Sequence, residues 1–332
     1  MIAKTPYLIR YTLLWIVLLT SCRHRMLYEG RRLHYIRIYI DEKIANTTDG
    51  FYRPNFVRPE YHFPHLMRVI VCEKHGGSLI EEQFLRTVHQ DAQGRYFDGF
   101  LSLDAGSYLL LAYNYDTQRS VLKNEDNYFA IEAFTHHKEQ HPSTKDTHLM
   151  PDDLFVVQSS QVEIKPCIAM DTVYNSSHQF FEARSCVKSY FLGCSVEGLR
   201  WVRSVSATLS GMRSNVRLHN TDLEEYPPTR IYFELNEHRD TLRQKEMIYT
   251  TFQTFGKTHS DQHLVLDLDF ELMGHRHQHE RIDLGDLFST SDALNHQWLI
   301  LPHKIKIKEP QNGEGMNPDI DNWEDDQQEI II

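Results

Sequence analysis

The chain has 332 residues, 41% hydrophobic, 24% charged and 11% aromatic, which excludes a collagen-like, coiled-coil or wholly disordered polymer and leaves room for about two domains. Seventeen Tyr and seventeen Phe against fifteen Gly favour a β-rich chain. Asp and Glu outnumber Lys and Arg by 46 to 35, a net charge of −11, so the chain is ill suited to hold a phosphate backbone and no nucleic-acid partner is expected.

The N-terminus reads Met1-Ile2-Ala3-Lys4, with Arg10 ahead of the apolar run Leu13–Leu19. That run is too short to cross about 30 Å of hydrocarbon, which takes about 20 residues. A positive start and a short apolar run instead predict a secretory signal over residues 1–21. The run ends Leu19-Thr20-Ser21-Cys22, a pattern that resembles a lipobox. Cleavage before Cys22 would free its amine, and that amine and the thiol would carry palmitate-like acyl chains. Two or three chains on one residue anchor firmly where a single chain is marginal. Loss of residues 1–21 removes Lys4 and Arg10 and no acid, so −11 becomes −13.

Period-two alternation dominates the chain beyond Cys22. Ile36, Ile38 and Ile40 share one face, with Tyr35, Arg37 and Tyr39 opposite; Met67, Val69 and Val71 repeat the pattern. Ser107–Tyr115 predicts a strand buried on both faces for part of its length, and Gln161–Ile164 a short one. Further strands are expected at Trp201–Thr208, Ile231–Phe233, His263–Met273, Ile282–Leu284, Ile300 and Ile305–Ile307. In the clearest run Leu264, Leu266, Leu268, Phe270 and Leu272 oppose Val265, Asp267, Asp269 and Glu271. Gly76-Gly77, Gly94, Asp104-Ala105-Gly106, Gly211 and Asn312-Gly313 mark turns. Short helices are expected within Asp116–Leu122 and Gly285–Asn295, and a polar loop over Thr135–Asp153. Short strands between turns predict an all-β sandwich or barrel. The best boundary, near Lys165-Pro166, divides the mature chain into residues 22–165 and 166–308. Residues 309–332 carry eight acids and no Lys or Arg: an acidic tail whose terminal Ile330-Ile331-Ile332 is either a last strand or disordered.

The search for chemistry is mostly negative. Gly256-Lys257-Thr258 lacks the Gly-rich turn of a phosphate loop, and His279-Glu280 lacks the second His of a zinc motif. Neither Gly-x-Ser-x-Gly nor Gly-x-Gly-x-x-Gly occurs, so no catalytic residue and no cofactor are expected. Asp267, Asp269 and Glu271 share a strand face that suits a hard cation, and equally a solvated face. His275, His277 and His279 alternate and could hold zinc or nickel. Same-face residues of a straight strand lie nearly 7 Å apart, however, so three seldom converge on one ion, and Gly274 before them suggests a hairpin end instead. His136, His137 and His141 fall in the polar loop. With Cys22 acylated, Cys72, Cys167, Cys186 and Cys194 remain, and their pairing is open. Cys186 and Cys194 would span about 26 Å in one strand, so they pair only if the chain turns back. Trp201, Trp298 and Trp323 could form a sugar platform or lie buried.

Three segments carry a family resemblance. Arg95–Gln118, with Gly106-Ser107-Tyr108 leading an apolar strand into Tyr113-Asn114-Tyr115-Asp116-Thr117, resembles the first domain of fimbrial anchor and minor-subunit lipoproteins of Bacteroidales, within the fimbrillin superfamily. Val202–Met212, ending Leu209-Ser210-Gly211-Met212, is similar to a hallmark strand of their second domain. Gly315–Ile332, with Asp321-Asn322-Trp323-Glu324, resembles their close, and the lipobox fits the same group. The resemblance implies two tandem transthyretin-like β-sandwich domains on an outer-membrane lipid anchor at Cys22. It further implies a non-enzymatic role as fimbrial (pilus) anchor or accessory subunit in cell adhesion. Its partners would be fimbrial subunits joined by strand addition, in which main-chain hydrogen bonds supply the affinity. A glycan-binding surface lipoprotein is the alternative.

Overall fold

The computed structural model describes residues 32–42, 56–57, 62–138, 147–164, 178–220, 226–240, 245–258 and 264–309. In chain order the strands are β1 (Arg32–Ile40), β2 (Met67–Glu73), β3 (Leu79–Leu85), β4 (Val88–Gln90), β5 (Arg95–Leu103), β6 (Gly106–Asn114), β7 (Ser120–Lys123), β8 (Glu132–Thr135), β9 (Thr147–Leu149) and β10 (Phe155–Ile164). Next come β11 (Gln179–Ser185), β12 (Lys188–Glu197), β13 (Val202–Arg213), β14 (Asn215–Arg217), β15 (Pro228–Asp240), β16 (Lys245–Thr254), β17 (Val265–Leu272), β18 (His277–Asp283), β19 (Trp298–Ile300) and β20 (Ile305–Lys306). Among the described residues a short α-helix, α1 (Ser291–His296), lies between β18 and β19.

The first sheet has the order β3-β2-β6-β10-β11-β1-β5-β4. Its pairs are antiparallel except β1 with β11, which is parallel. Alternation is the cause of its core: Ile36, Ile38 and Ile40 of β1 point inward beside Val69, Val71, Phe97, Leu101, Leu110 and Val162. Each such side chain removed from water contributes about 1.5–3 kcal/mol. The sheet curls until β3 meets β5, and Gly99 permits that approach. A Cβ there would lie 2.5 Å from Leu85 Cδ2.

The second sheet runs β18-β17-β13-β15-β16-β12-β19, with β20 also on β12 and β9 on β15. Leu264, Leu266, Leu268 and Phe270 face its core with Val205, Ala207, Leu209, Phe233 and Phe252, as their alternation requires. This sheet also closes on itself. Gln278 Nε2 in β18 donates to Lys306 O (2.9 Å), and Lys308 N donates to Gln278 Oε1 (3.1 Å). Helix α1 overlaps the expected stretch Gly285–Asn295 and runs one residue beyond it; Thr290 Oγ1 accepts from Ala293 N (3.3 Å) and caps it. Two curled sheets make the chain an all-β protein of two β-sandwich units.

A small sheet, β14-β8-β7, joins the units. Strands β7 and β8 precede the second sheet and β14 follows its strand β13, and all three cover one apolar cluster. In it Ile70, Cys72, Leu111, Tyr113 and Val156 of the first sheet meet Tyr128, Ile131 and Ala133, then Val187, Val216, Leu218 and Phe255. Strand β6 is therefore buried on both faces from Leu110 to Asn114, as its apolar run indicates. The first sheet continues through β11, and the passage to the second falls between Ser185 and Lys188. Lys165 and Pro166 lie outside the described residues.

Three local expectations differ from the structure. Asp116–Leu122 is not helical: the Asp152 carboxylate accepts from the N–H groups of Gln118, Arg119 and Ser120, and Ser120 onward pairs with β8. Gly211 is not a turn between strands but a bulge within β13, at φ 82°. Thr135–Asp153 holds strand β9, parallel to β15, because Thr147 and His148 are buried there.

Candidate functional site

Cys22, Cys167, His141, Trp323 and residues 310–332 lie outside the described residues. His275, at φ 59°, turns the β17–β18 hairpin with Gly274, and His277 and His279 come after it on one face of β18. Both face Asp269: His277 Nδ1 lies 2.9 Å and His279 Nδ1 3.4 Å from Asp269 Oδ1. The other carboxylates of the face are also paired. Asp267 Oδ1 is 3.7 Å from Arg281 Nε, and Glu271 accepts from Arg203 (3.1 Å) and from Ser204 Oγ (2.8 Å). The bond from Ser204, together with the charges of Arg203 and His275, holds the Glu271 carboxyl below the usual range. The ladder is thus a set of exposed cross-strand ion pairs. Among the described residues no group of three or more His, Cys, Asp or Glu is arranged to hold a metal ion.

Trp201 and Trp298 do not form a shared platform. Trp201 packs against the second core, and Trp298 joins Phe56, Phe191 and Tyr249. Cys72, Cys186 and Cys194 are free thiols. Burial pushes Cys72 up to about 11 and Cys194 up to about 12, so both stay protonated and unreactive at neutral pH.

An aromatic surface stands on the outer face of the first sheet, opposite the Ile36–Ile40 stripe. Register places Tyr35 beside Phe100, Arg37 between Asp98 and Phe180, and Tyr39 between Tyr96 and Glu182; His89 lies next to Tyr96. Arg37 is the centre, its Cζ 4.0 Å over the Tyr96 ring and 5.6, 5.8 and 5.9 Å from those of Phe180, Tyr35 and Tyr39. Tyr35 OH donates to Asp98 Oδ2 (2.7 Å), and Tyr39 OH donates to Asp91 Oδ2 (2.8 Å). Arg37 donates to both hydroxyls and to Asp91 (3.0 Å). Slight desolvation raises Asp91, but the bonds from Tyr39, Gln93 and Gly94 and the charge of Arg37 prevail and hold it below its ordinary value. Sequence alternation exposes the β1 members alone. Tyr96, Phe100 and Phe180 stand on strands too irregular in pattern to read.

Among the described residues β3, β4, β18 and β19 end the two large sheets, and β14 and β7 the small one. Charged and His side chains blunt β18, and β4 is three residues long. Strand β3 offers seven residues with Ile80 and Phe84 exposed, but it carries Glu81 and Glu82, and its Gln83 and Leu85 lie against Gly99 of β5.

The fold is shared with solved structures over nearly the whole chain. A protein of Bacteroides ovatus ATCC 8483 provisionally designated an adhesin superposes with TM-score 0.57 at 19% identity, covering 87% of this chain and 98% of its own. A second B. ovatus structure with the same designation gives 0.50 at 9%, over 85% and 90%. The fimbrial anchor protein Mfa2 of Porphyromonas gingivalis gives 0.47 at 16%, over 80% and 87%. No curated protein matches the chain. Residues 60–234, more than half of the sequence, match the family described as "Domain of unknown function (DUF5119)", and the chain belongs to that family.

Proposed function

We propose that the protein is a cell-surface lipoprotein, held in the outer membrane by acylated Cys22, that serves a fimbrium as anchor or accessory subunit in cell adhesion. The observation that carries this reading is the two-sandwich fold, which is shared with the adhesin-designated B. ovatus proteins over 85–87% of this chain. The lipobox at Leu19–Cys22 and the fimbrial-anchor resemblance of Arg95–Gln118 and Val202–Met212 support it from the sequence. A partner strand would add along an open sheet edge, where main-chain groups supply affinity and alternate side chains supply register.

Two measurements test it. Cys22→Ala should move the protein from the membrane fraction to the soluble fraction; unchanged membrane retention would remove the anchor. Deletion of the gene should give shed or length-altered fimbriae, whereas normal cell-attached fimbriae would overturn the fimbrial role.

A further inference from the structure

The outer face of the first sheet is divided. Its β2, β6 and β10 side lies under the shared apolar cluster, so Ile70, Leu111, Tyr113 and Val156 are covered. Its β11-β1-β5-β4 side carries the aromatic surface and is open: Phe180 is 59% and Phe100 52% exposed. Proteins rarely leave large rings uncovered in a contiguous group without a ligand to meet them.

The chemistry of the surface selects the ligand. Backbone hydrogen bonds within the sheet are already made, so recognition here is by side chains, unlike recognition at a strand edge. Arg37 and Arg184 are set against Asp91, Asp98 and Glu182, and each arginine is bonded to a carboxylate of the face. A surface with no excess of positive charge gives no attraction to phosphate, sulfate or an anionic bilayer. A purely apolar partner would bury Tyr35, Tyr39, Asp91 and Asp98 at a desolvation cost. Exposed rings beside paired polar groups suit a neutral molecule with apolar faces and hydroxyl edges, a sugar. Pyranose C–H faces stack on rings, and vicinal hydroxyls meet carboxylates and guanidinium at the rim. The rings are also held ready. Tyr35 and Tyr39 are tied at their hydroxyls, so little side-chain entropy is lost on binding. Phe100 and Phe180 lie two strands apart and two residues offset, roughly 12 Å between their Cα atoms. That distance lets two rings of one oligosaccharide stack at once.

We infer that the outer face of β11, β1, β5 and β4 is a binding site for neutral glycans, with Phe100 and Phe180 as stacking rings and Arg37, Asp98 and Asp91 as the hydroxyl-reading polar groups. The inference names a ligand class for the adhesion role and rests on that reading only for its setting.

The full chain is tested on an array of neutral, sialylated and sulfated oligosaccharides, and the strongest neutral probe is then titrated. Phe100→Ala and Phe180→Ala should each weaken binding about tenfold, and the double variant should abolish it, while Met273→Ala, on the second unit, leaves it unchanged. Phe100→Leu and Phe180→Leu keep the bulk and lose the ring; they should behave as the alanine variants and guard against a folding defect. Absence of any neutral glycan bound, retention of charged glycans alone, or undiminished binding by the double variants overturns the site. So does a wild-type dimer that the double variants disperse, since the face would then meet a second copy of the chain. The fimbrial role stands or falls separately on the gene deletion. Glycan binding with normal fimbriae leaves the site alone standing; altered fimbriae without glycan binding leave the fimbrial role alone.

Discussion

Gly211 shows how one residue sets the path of a strand. At φ 82° it bulges β13, and its carbonyl accepts from Thr258 N (3.0 Å) and Thr258 Oγ1 (3.2 Å). The bulge restores the register that buries Met212. This is a physical reason for the Leu209-Ser210-Gly211-Met212 segment. Gly211→Ala places a Cβ in the left-handed region and should cost about 1–2 kcal/mol in denaturant unfolding. Asp91 acts through charge. Its carboxyl pKa is lower folded than unfolded, so its stabilising contribution is complete above the ordinary carboxyl value of 3.8 and is lost as pH falls through the folded value. Wild type should therefore be more stable than Asp91→Asn at pH 6, and the gap should narrow as the solution is acidified below pH 3.8; a gap that stays constant or widens in acid would refute the assignment.

At the scale of elements, β2 and β6 are bound by polar as well as apolar contacts. Buried Arg68 of β2 donates to Tyr113 OH of β6 (2.9 Å), to Glu82 of β3 (2.8 Å) and to Glu125. Arg68→Ala strips a cation from two carboxylates and should cost about 2–3 kcal/mol, less than the 3–5 of a fully buried pair because Glu82 is half exposed. Strands with one clean apolar face, β1, β13, β15 and β17, were legible in the sequence as alternation, and β2 and β6, buried on both faces, as apolar runs. Strand β5 was not legible as alternation, since Gly99 stands where an inward apolar residue belongs. Nor was β3, whose Leu79–Leu85 keeps a single buried side chain. The His275–His279 hairpin was legible as a turn with same-face histidines, but not their shared Asp269. The aromatic surface was hidden for a topological reason. Parallel pairing of β1 with β11 brings Phe180 beside Arg37 across most of the first half of the chain, and no local pattern records such a neighbour.

At the scale of the molecule, the two sandwiches are not beads on a string. Strand β9 enters the second sheet, β14 completes a sheet begun by β7 and β8, and Asp153 bonds Gln253 (2.5 Å). The cluster beneath them draws Val187, Val216, Leu218 and Phe255 from the second unit. Leu218→Ala should cost about 2–5 kcal/mol and shift the unfolding of both units together in calorimetry. Two separate transitions, with one of them unmoved, would show that the cluster does not couple them. Strand β1 gives this arrangement a mechanical meaning. It is the first described strand of the chain, yet it lies inside the sheet, hydrogen-bonded to β5 on one side and to β11 on the other. Tension entering from the N-terminus runs along β1, crosswise to both rows of bonds, and loads them all in shear. The strand must then fail at once or not at all, where a hairpin pulled from its open end would unzip one bond at a time.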